Sequence, residues 1–121
     1  MPKRILIVED NDLNRRLFND VLETKGYETV VSQTGADAVG LAVTTMPDLI
    51  LMDMCLPDTD GLTTTGQIKA DTRTGDIPVI AVTACAMAGD AQRMLAGGCV
   101  DYLSKPISIP GLLTCVEKHV H

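Results

Sequence analysis

Acidic, hydroxyl and basic side chains stand at the ends of short aliphatic runs in this chain. Glu9-Asp10 follows Arg4 to Val8, Asp53 follows Leu49 to Met52, Thr83-Ala84 follows Pro78 to Val82, and Ser104-Lys105 follows Val100 to Leu103. A further run, Glu28 to Val31, ends in the unremarkable Ser32-Gln33. Brought together, carboxylates about 4 to 6 Å apart repel and raise one another's pKa unless a cation sits among them. A hard divalent ion is the natural one. Mg2+ takes a small number of carboxylates, some waters and a phosphate oxygen, and no Cys or His ends a run to suggest zinc. Lys105 adds a point charge suited to a phosphoryl oxygen and Thr83 adds a hydroxyl donor. Acid, metal, lysine and threonine together point to phosphoryl transfer.

Each group has a plainer reading by itself. Asp10, Asn11 and Asp12 open a helical pattern, where such residues cap backbone N–H groups. Lys105 before Pro106 reads as a solvated loop lysine, Thr83 as the end of a strand and Asp53 as the start of a loop. Convergence of four polar strand ends on one rim is what separate accidents do not explain.

The elements that must position them follow from periodicity. The aliphatic runs are continuous rather than alternating, as expected of strands buried on both faces. Between them lie helical stripes: Leu13, Leu17, Phe18, Val21 and Leu22; Ala36, Val39, Val43 and Met46; Met87, Ala91, Met94 and Leu95; and Ile109, Leu112, Leu113, Val116 and Val120. Gly61 to Asp71 is a weaker helix, because Thr63-Thr64-Thr65 and Gly66 are poor helix formers, yet it lies where a crossover must run. Gly26, Pro47, Gly75 and Gly97-Gly98 punctuate the helix ends. Five alternations of strand and helix predict an α/β fold: a five-stranded parallel sheet with five helices covering both faces. In the order 2-1-3-4-5 the switch point falls between the first and third strands, which carry Glu9, Asp10 and Asp53. The second strand is then an edge, away from the chemistry.

Composition narrows the function. The 121 residues suit one domain, and hydrophobic and charged fractions of 45% and 21% are globular proportions. Phe18, Tyr27 and Tyr102 are the aromatics, Trp is absent and the net charge is −6, so neither a basic stripe nor stacking rings for nucleic acid exist. No run approaches the roughly 20 apolar residues that span a bilayer, and the start lacks a secretion signal. Cys55, Cys85, Cys99 and Cys115 form no CxxC pair, which fits reduced thiols in the cytoplasm. His119 and His121 make an HxH at the end, a pair able to hold a metal weakly, but it is read as a frayed terminus and given no function.

At these residues the chain resembles the receiver domain of two-component response regulators, the CheY-like, flavodoxin-like fold, over nearly its whole length. Ile7-Val8-Glu9-Asp10-Asn11 resembles the acidic pocket and Asp48-Leu49-Ile50-Leu51-Met52-Asp53 the phosphoacceptor strand. Leu56-Pro57 with Gly61, Val82-Thr83-Ala84 and Ser104-Lys105-Pro106 resemble the remaining signatures. Leu13-Asn14, Gly26-Tyr27-Glu28-Thr29 and Gly97-Gly98-Cys99 are similar to the stand-alone members that act in cell-division control. The resemblance implies that Asp53 accepts a phosphoryl group from a sensor histidine kinase or phosphotransfer protein. It implies that Asp10, Asp53 and the Cys55 carbonyl hold Mg2+, with Glu9 acting through water, and that Thr83 and Lys105 bind phosphoryl oxygens. Tyr102 would turn inward when Thr83 moves, and the Lys105–Pro106 bond would be cis. Residues 1–121 would form a single receiver domain without an output domain. It would be a phosphoacceptor and not an enzyme in its own right, a monomer before phosphorylation, cytoplasmic, and recruited by kinases to a cell pole. Cys55 and Cys85 occupy variable positions flanking the acceptor, where side chains govern access of hydrolytic water.

Three rivals use other features. Asp58-Thr59-Asp60-Gly61-Leu62-Thr63 looks like the DxDGT signature of haloacid-dehalogenase phosphatases, but Cys55-Leu56-Pro57 intervenes between strand and motif. An EF-hand loop with Asp58 third and Asp60 fifth would end at Gln67 instead of a bidentate Glu. A flavodoxin-like cofactor binder needs a phosphate loop after the first strand, where Glu9-Asp10 would repel it.

Overall fold

The computed structural model describes residues 2–84 and 89–120. Its elements are β1 (Arg4–Val8), α1 (Asp12–Thr24), β2 (Glu28–Ser32), α2 (Gly35–Thr45), β3 (Leu49–Asp53), α3 (Gly61–Ala70), β4 (Val79–Thr83), α4 (Asp90–Ala96), β5 (Asp101–Ser104) and α5 (Ile109–His119). All strand pairs are parallel and the order is β2-β1-β3-β4-β5, as expected. The registers Val8↔Met52 and Asp53↔Val82 bring the carboxyl ends of the central strands level, which gathers the polar residues beyond them at one rim.

Alternation along each strand divides the core in two. Leu6, Val8, Ile50, Met52, Val79 and Ala81 pack with Ala38, Ala42, Ile68 and Met94 of α2, α3 and α4. Ile5, Ile7, Leu49, Leu51, Ile80 and Val82 pack with Phe18 and Leu22 of α1 and Leu112, Cys115 and Val116 of α5. β1, β3 and β4 are covered on both faces and need apolar residues at successive positions, whereas the edge strands β2 and β5 are only partly buried, which corrects the expectation that all five are covered on both faces.

Each of the four expected helical stripes departs from expectation at some position, in α5 at Ile109, which is exposed. In α1, Phe18 and Leu22 are buried, but Leu13 is 76% exposed and Leu17 lies at the surface. In α2 the buried positions are Gly35, Ala38 and Ala42, whereas Ala36 and Met46 are exposed. Large side chains dominate a periodicity reading, yet this helix turns its small ones to the sheet. In α4, Met94 is buried and Leu95 exposed, while Met87 lies outside the described residues.

The Thr-rich α3 forms because its polar groups are satisfied locally. Asp60 Oδ1 accepts the Thr63 N–H at 2.6 Å as the N-cap. Thr65 Oγ1, fully buried, donates to the Gly61 carbonyl at 2.8 Å, and Thr74 Oγ1 donates to the Ile68 carbonyl at 2.7 Å. Helix ends behave as their residue types require: Gly26 and Gly98 adopt φ of 89° and 111°, where other residues are strained. Gly75 does not end α3, which stops at Ala70 and runs into the turns that follow. Among the described residues, no helix is long and apolar enough to cross a membrane.

Candidate functional site

Glu9, Asp10 and Asp53 each place a carboxylate oxygen within 4.8 Å of the others at the carboxyl ends of β1 and β3. Glu9 and Asp53 are only 1% and 3% exposed, whereas Asp10 lies open. Lys105 reaches in from beyond β5, its Nζ 3.0 Å from Glu9 Oε1 and 3.2 Å from Asp53 Oδ2. Its backbone N–H donates to the Thr83 carbonyl at 2.7 Å, which fixes the lysine beside the end of β4. The Lys105–Pro106 peptide bond is cis.

Backbone geometry holds Asp53 in place. Its Oδ1 accepts the Cys55 N–H at 3.0 Å and its Oδ2 accepts from Lys105, so both oxygens are oriented. The loop after β3 can turn this tightly because Gly61 has no side chain: a Cβ there would meet the Asp53 carbonyl oxygen at 2.1 Å. The Gly61 N–H donates to the Met54 carbonyl at 3.0 Å and closes the loop. Around the other carboxyl, Glu9 Oε2 accepts the Asn11 N–H at 3.3 Å, and Arg15 Nη1 donates to the Glu9 carbonyl at 3.1 Å. Arg15 is a helix residue that sequence patterning passes over, since a lone charge on an exposed stripe carries no signal.

The electrostatics leave surplus negative charge. Burial, then the neighbouring Asp53, pushes the Glu9 carboxyl up to about 7, against the opposing pull of Lys105 and the Asn11 N–H. Burial disfavours the Lys105 ammonium, but Glu9 and Asp53 outweigh it and the lysine pKa is raised. Lys105 Nζ is close to Glu9 Oε1 yet not aligned to hydrogen-bond it, so this buried oxygen has an ionic neighbour and no donor. An all-oxygen donor set, one cation against three carboxylates, and an orphaned buried oxygen together fit a hard divalent cation. Asp10, Asn11, Asp12, Asn14, Asp53 and Lys105 line an open cleft of about 620 Å3 that leaves the carboxylates accessible from outside.

Other predicted residues fall around this centre. Thr83 is buried at the end of β4 and lines a second cavity of about 340 Å3, toward α4, with Met54, Asp60, Arg93 and Met94. Cys55 is exposed and borders both spaces. Tyr102 is half-buried against the α2, α3 and α4 side of the core. Cys85 lies outside the described residues. Asp58 and Asp60, the acids of the phosphatase-like motif, are occupied elsewhere. Asp58 accepts the Gly35 and Ala36 N–H groups at 2.9 Å each, at the start of α2, and Asp60 caps α3. Neither belongs to the carboxylate cluster, which removes the phosphatase reading.

The family model for the response regulator receiver domain matches residues 5–117. The chain belongs to the response regulator receiver family. It is 49% identical over 120 residues to the polar-differentiation response regulator DivK of Brucella anthropi, covering 99% of this chain and 98% of that protein. The DivK of Brucella abortus is 48% identical over the same length. Among solved structures, the receiver domain of sensor histidine kinase PA1611 from Pseudomonas aeruginosa is 35% identical with a TM-score of 0.91, covering 99% of this chain and 98% of that one. That receiver was solved with a magnesium ion coordinated in its active-site cleft. A CheY-like receiver from Methanospirillum hungatei is 28% identical with a TM-score of 0.90, covering 99% and 94% of the two chains. The chain is therefore a phosphoryl-accepting response regulator, a signalling protein of the two-component type.

Proposed function

We propose that Asp53 accepts the phosphoryl group from a phosphohistidine of a sensor histidine kinase or phosphotransfer protein. The observation that carries this is the Asp53 carboxylate, buried and held through both oxygens at the foot of an open cleft, beside a lysine and two further acids. In the transfer, an Asp53 oxygen attacks phosphorus as the bond from phosphorus to the donor imidazole breaks, and the electron pair returns to that imidazole. Lys105 gives up part of its contact with Asp53 and Glu9 to pair with a phosphoryl oxygen. Thr83 donates its hydroxyl to another phosphoryl oxygen.

Asp10, Asp53 and the Cys55 carbonyl would hold Mg2+, with Glu9 acting through water. The bound ion offsets repulsion between the carboxylates and the incoming phosphoryl oxygens. The chain's own part is to fix the acceptor and present Lys105, so it promotes phosphoryl transfer from the donor onto itself and the later hydrolysis by water. Output is a protein contact. Phosphorylation adds nearly two negative charges at Asp53, draws Thr83 and Lys105 inward, and lets Tyr102 settle further into the face it already half-occupies. A net charge of −6 argues against direct nucleic-acid binding.

The similarity to DivK supports a role in cell-division control, exercised by an unphosphorylated monomer in the cytoplasm that kinases recruit to a cell pole. The test is transfer from a radiolabelled phosphohistidine donor. Label should reach the wild-type chain with Mg2+ and fail to do so in excess EDTA; equal labelling under both conditions would count against the assignment.

A further inference from the structure

A second cluster of metal-ligating side chains lies at the opposite end of β5 from Lys105. Asp101 opens this edge strand, and Cys115 and His119 stand one helical turn apart on the face of α5 turned toward it. The Cys115 thiol donates to Asp101 Oδ2 at 3.6 Å, and His119 Nε2 is 2.9 Å from the same oxygen. The other carboxylate oxygen, Oδ1, accepts the Tyr102 N–H at 2.8 Å, so the carboxylate is anchored with Oδ2 aimed at sulfur and nitrogen. All three ligand atoms lie within 4.8 Å of one another. His119 thus sits in the last turn of α5 with a partner, and the frayed terminus expected of the HxH pair is corrected at this residue.

We propose that Asp101, Cys115 and His119 form a binding site for a borderline divalent transition ion of the Zn2+ class. The donor set decides the class, since one thiolate, one imidazole and one carboxylate suit zinc and its neighbours and do not suit magnesium. Spacing agrees: tetrahedral Zn2+ with ordinary bond lengths separates sulfur from oxygen by about 3.6 Å and nitrogen from oxygen by about 3.4 Å. The first separation is already present, and the second needs a shift of about half an ångström at a half-buried side chain. Burial and the facing Asp101 push the Cys115 thiol up to about 12, so the sulfur is no nucleophile in the metal-free protein. It becomes a thiolate when a cation takes the proton's place and that proton leaves to solvent. Three protein ligands at a sheet edge leave the fourth position to water.

The decisive experiment titrates Co2+ into the reduced full chain in excess Mg2+, which occupies the all-oxygen site. One equivalent should develop a thiolate-to-cobalt charge-transfer band, and Zn2+ should displace it stoichiometrically. Cys115→Ser should abolish the band, and Asp101→Asn and His119→Gln should each weaken binding at least tenfold. Asp101→Asn separates a site spanning β5 and α5 from the terminal histidines acting by themselves. Cys55→Ser and Asp53→Asn should leave the band unchanged, which separates this site from the phosphoacceptor cleft. Asp101→Asn and His119→Gln replace half-buried polar side chains with others of similar size, so they remain informative if Cys115→Ser folds poorly. A band that persists in Cys115→Ser, no band at all in the wild type, or wild-type affinity in both Asp101→Asn and His119→Gln would overturn the proposal.

Discussion

The two ends of the central sheet handle the same residue types in opposite ways. Asp48 and Asp53 bracket β3, and Lys69 and Lys105 lie near its two ends. At the amino end, Asp48 Oδ2 accepts the Arg4 N–H at 2.8 Å, and Lys69 Nζ donates to the carbonyls of Gly75 and Ile77, the former at 3.2 Å. Those charges are spent on the backbone of their own neighbourhood. At the carboxyl end, Glu9, Asp53 and Lys105 face one another, and one buried oxygen is left without a donor. Side chains that satisfy backbone groups stabilise the fold. Carboxylates that keep one oxygen on the backbone and turn the other toward a shared lysine, with charge left over, are poised to exchange that partner for a ligand.

The two lysines give the largest test of this contrast. Lys105→Met should slow phosphorylation about a hundredfold, the scale for losing one preorganised charge donor, and change stability little in excess Mg2+, where the ion takes over its neutralising role. Lys69→Met should do the reverse, costing about 1 kcal/mol in denaturant unfolding as part-buried carbonyls lose a charged donor, with phosphorylation rates unchanged. Comparable rate losses in both would erase the distinction.

Gly61→Ala tests whether the acceptor loop is held by close packing. The added Cβ must push on the backbone of Asp53 and Met54, so a cost of about 1 to 3 kcal/mol and a slower phosphorylation rate are expected together. An alanine variant with wild-type stability would show that the loop is not constrained there.

Opposite pH responses should follow from two acids. The Glu9 pKa is raised from 4.5 to about 7, so in EDTA its contribution to stability is present below about 4.5 and is lost as pH rises through about 7. Glu9→Gln should flatten that fall, and denaturant midpoints across the range will show it. Asp58 is smaller in effect and opposite in sign. Hydrogen bonds from the Gly35 and Ala36 N–H groups lower its pKa, so its contribution is present at neutral pH and lost as pH falls through the depressed value. Asp58→Asn should remove only this acid-side loss.

Much of this was legible in the sequence, for physical reasons. Strands buried on both faces write themselves as unbroken aliphatic runs, and a parallel sheet with its polar residues beyond the carboxyl ends leaves few other places for a site. The inward face of α2 was not legible, because Gly35, Ala38 and Ala42 carry little hydrophobic weight beside Val39, Val43 and Met46. Leu13 and Leu17 read as core for the converse reason: a leucine on a surface helix looks the same in sequence as one beneath it. Asp58 looked like part of a motif because its true partners, two N–H groups at positions 35 and 36, are remote in sequence. The cluster of Asp101, Cys115 and His119 was hidden likewise, since only the packing of α5 on β5 brings the three together.

The central claim is that, of two aspartates at the ends of one strand, only Asp53 is chemically competent. Intact-mass analysis after incubation with a small phosphodonor and Mg2+ tests it most directly, in the wild type, Asp53→Asn and Asp48→Asn. A single base-labile phosphoryl adduct should appear in the wild type and in Asp48→Asn and be absent from Asp53→Asn. An adduct formed at the wild-type rate in Asp53→Asn would contradict the account.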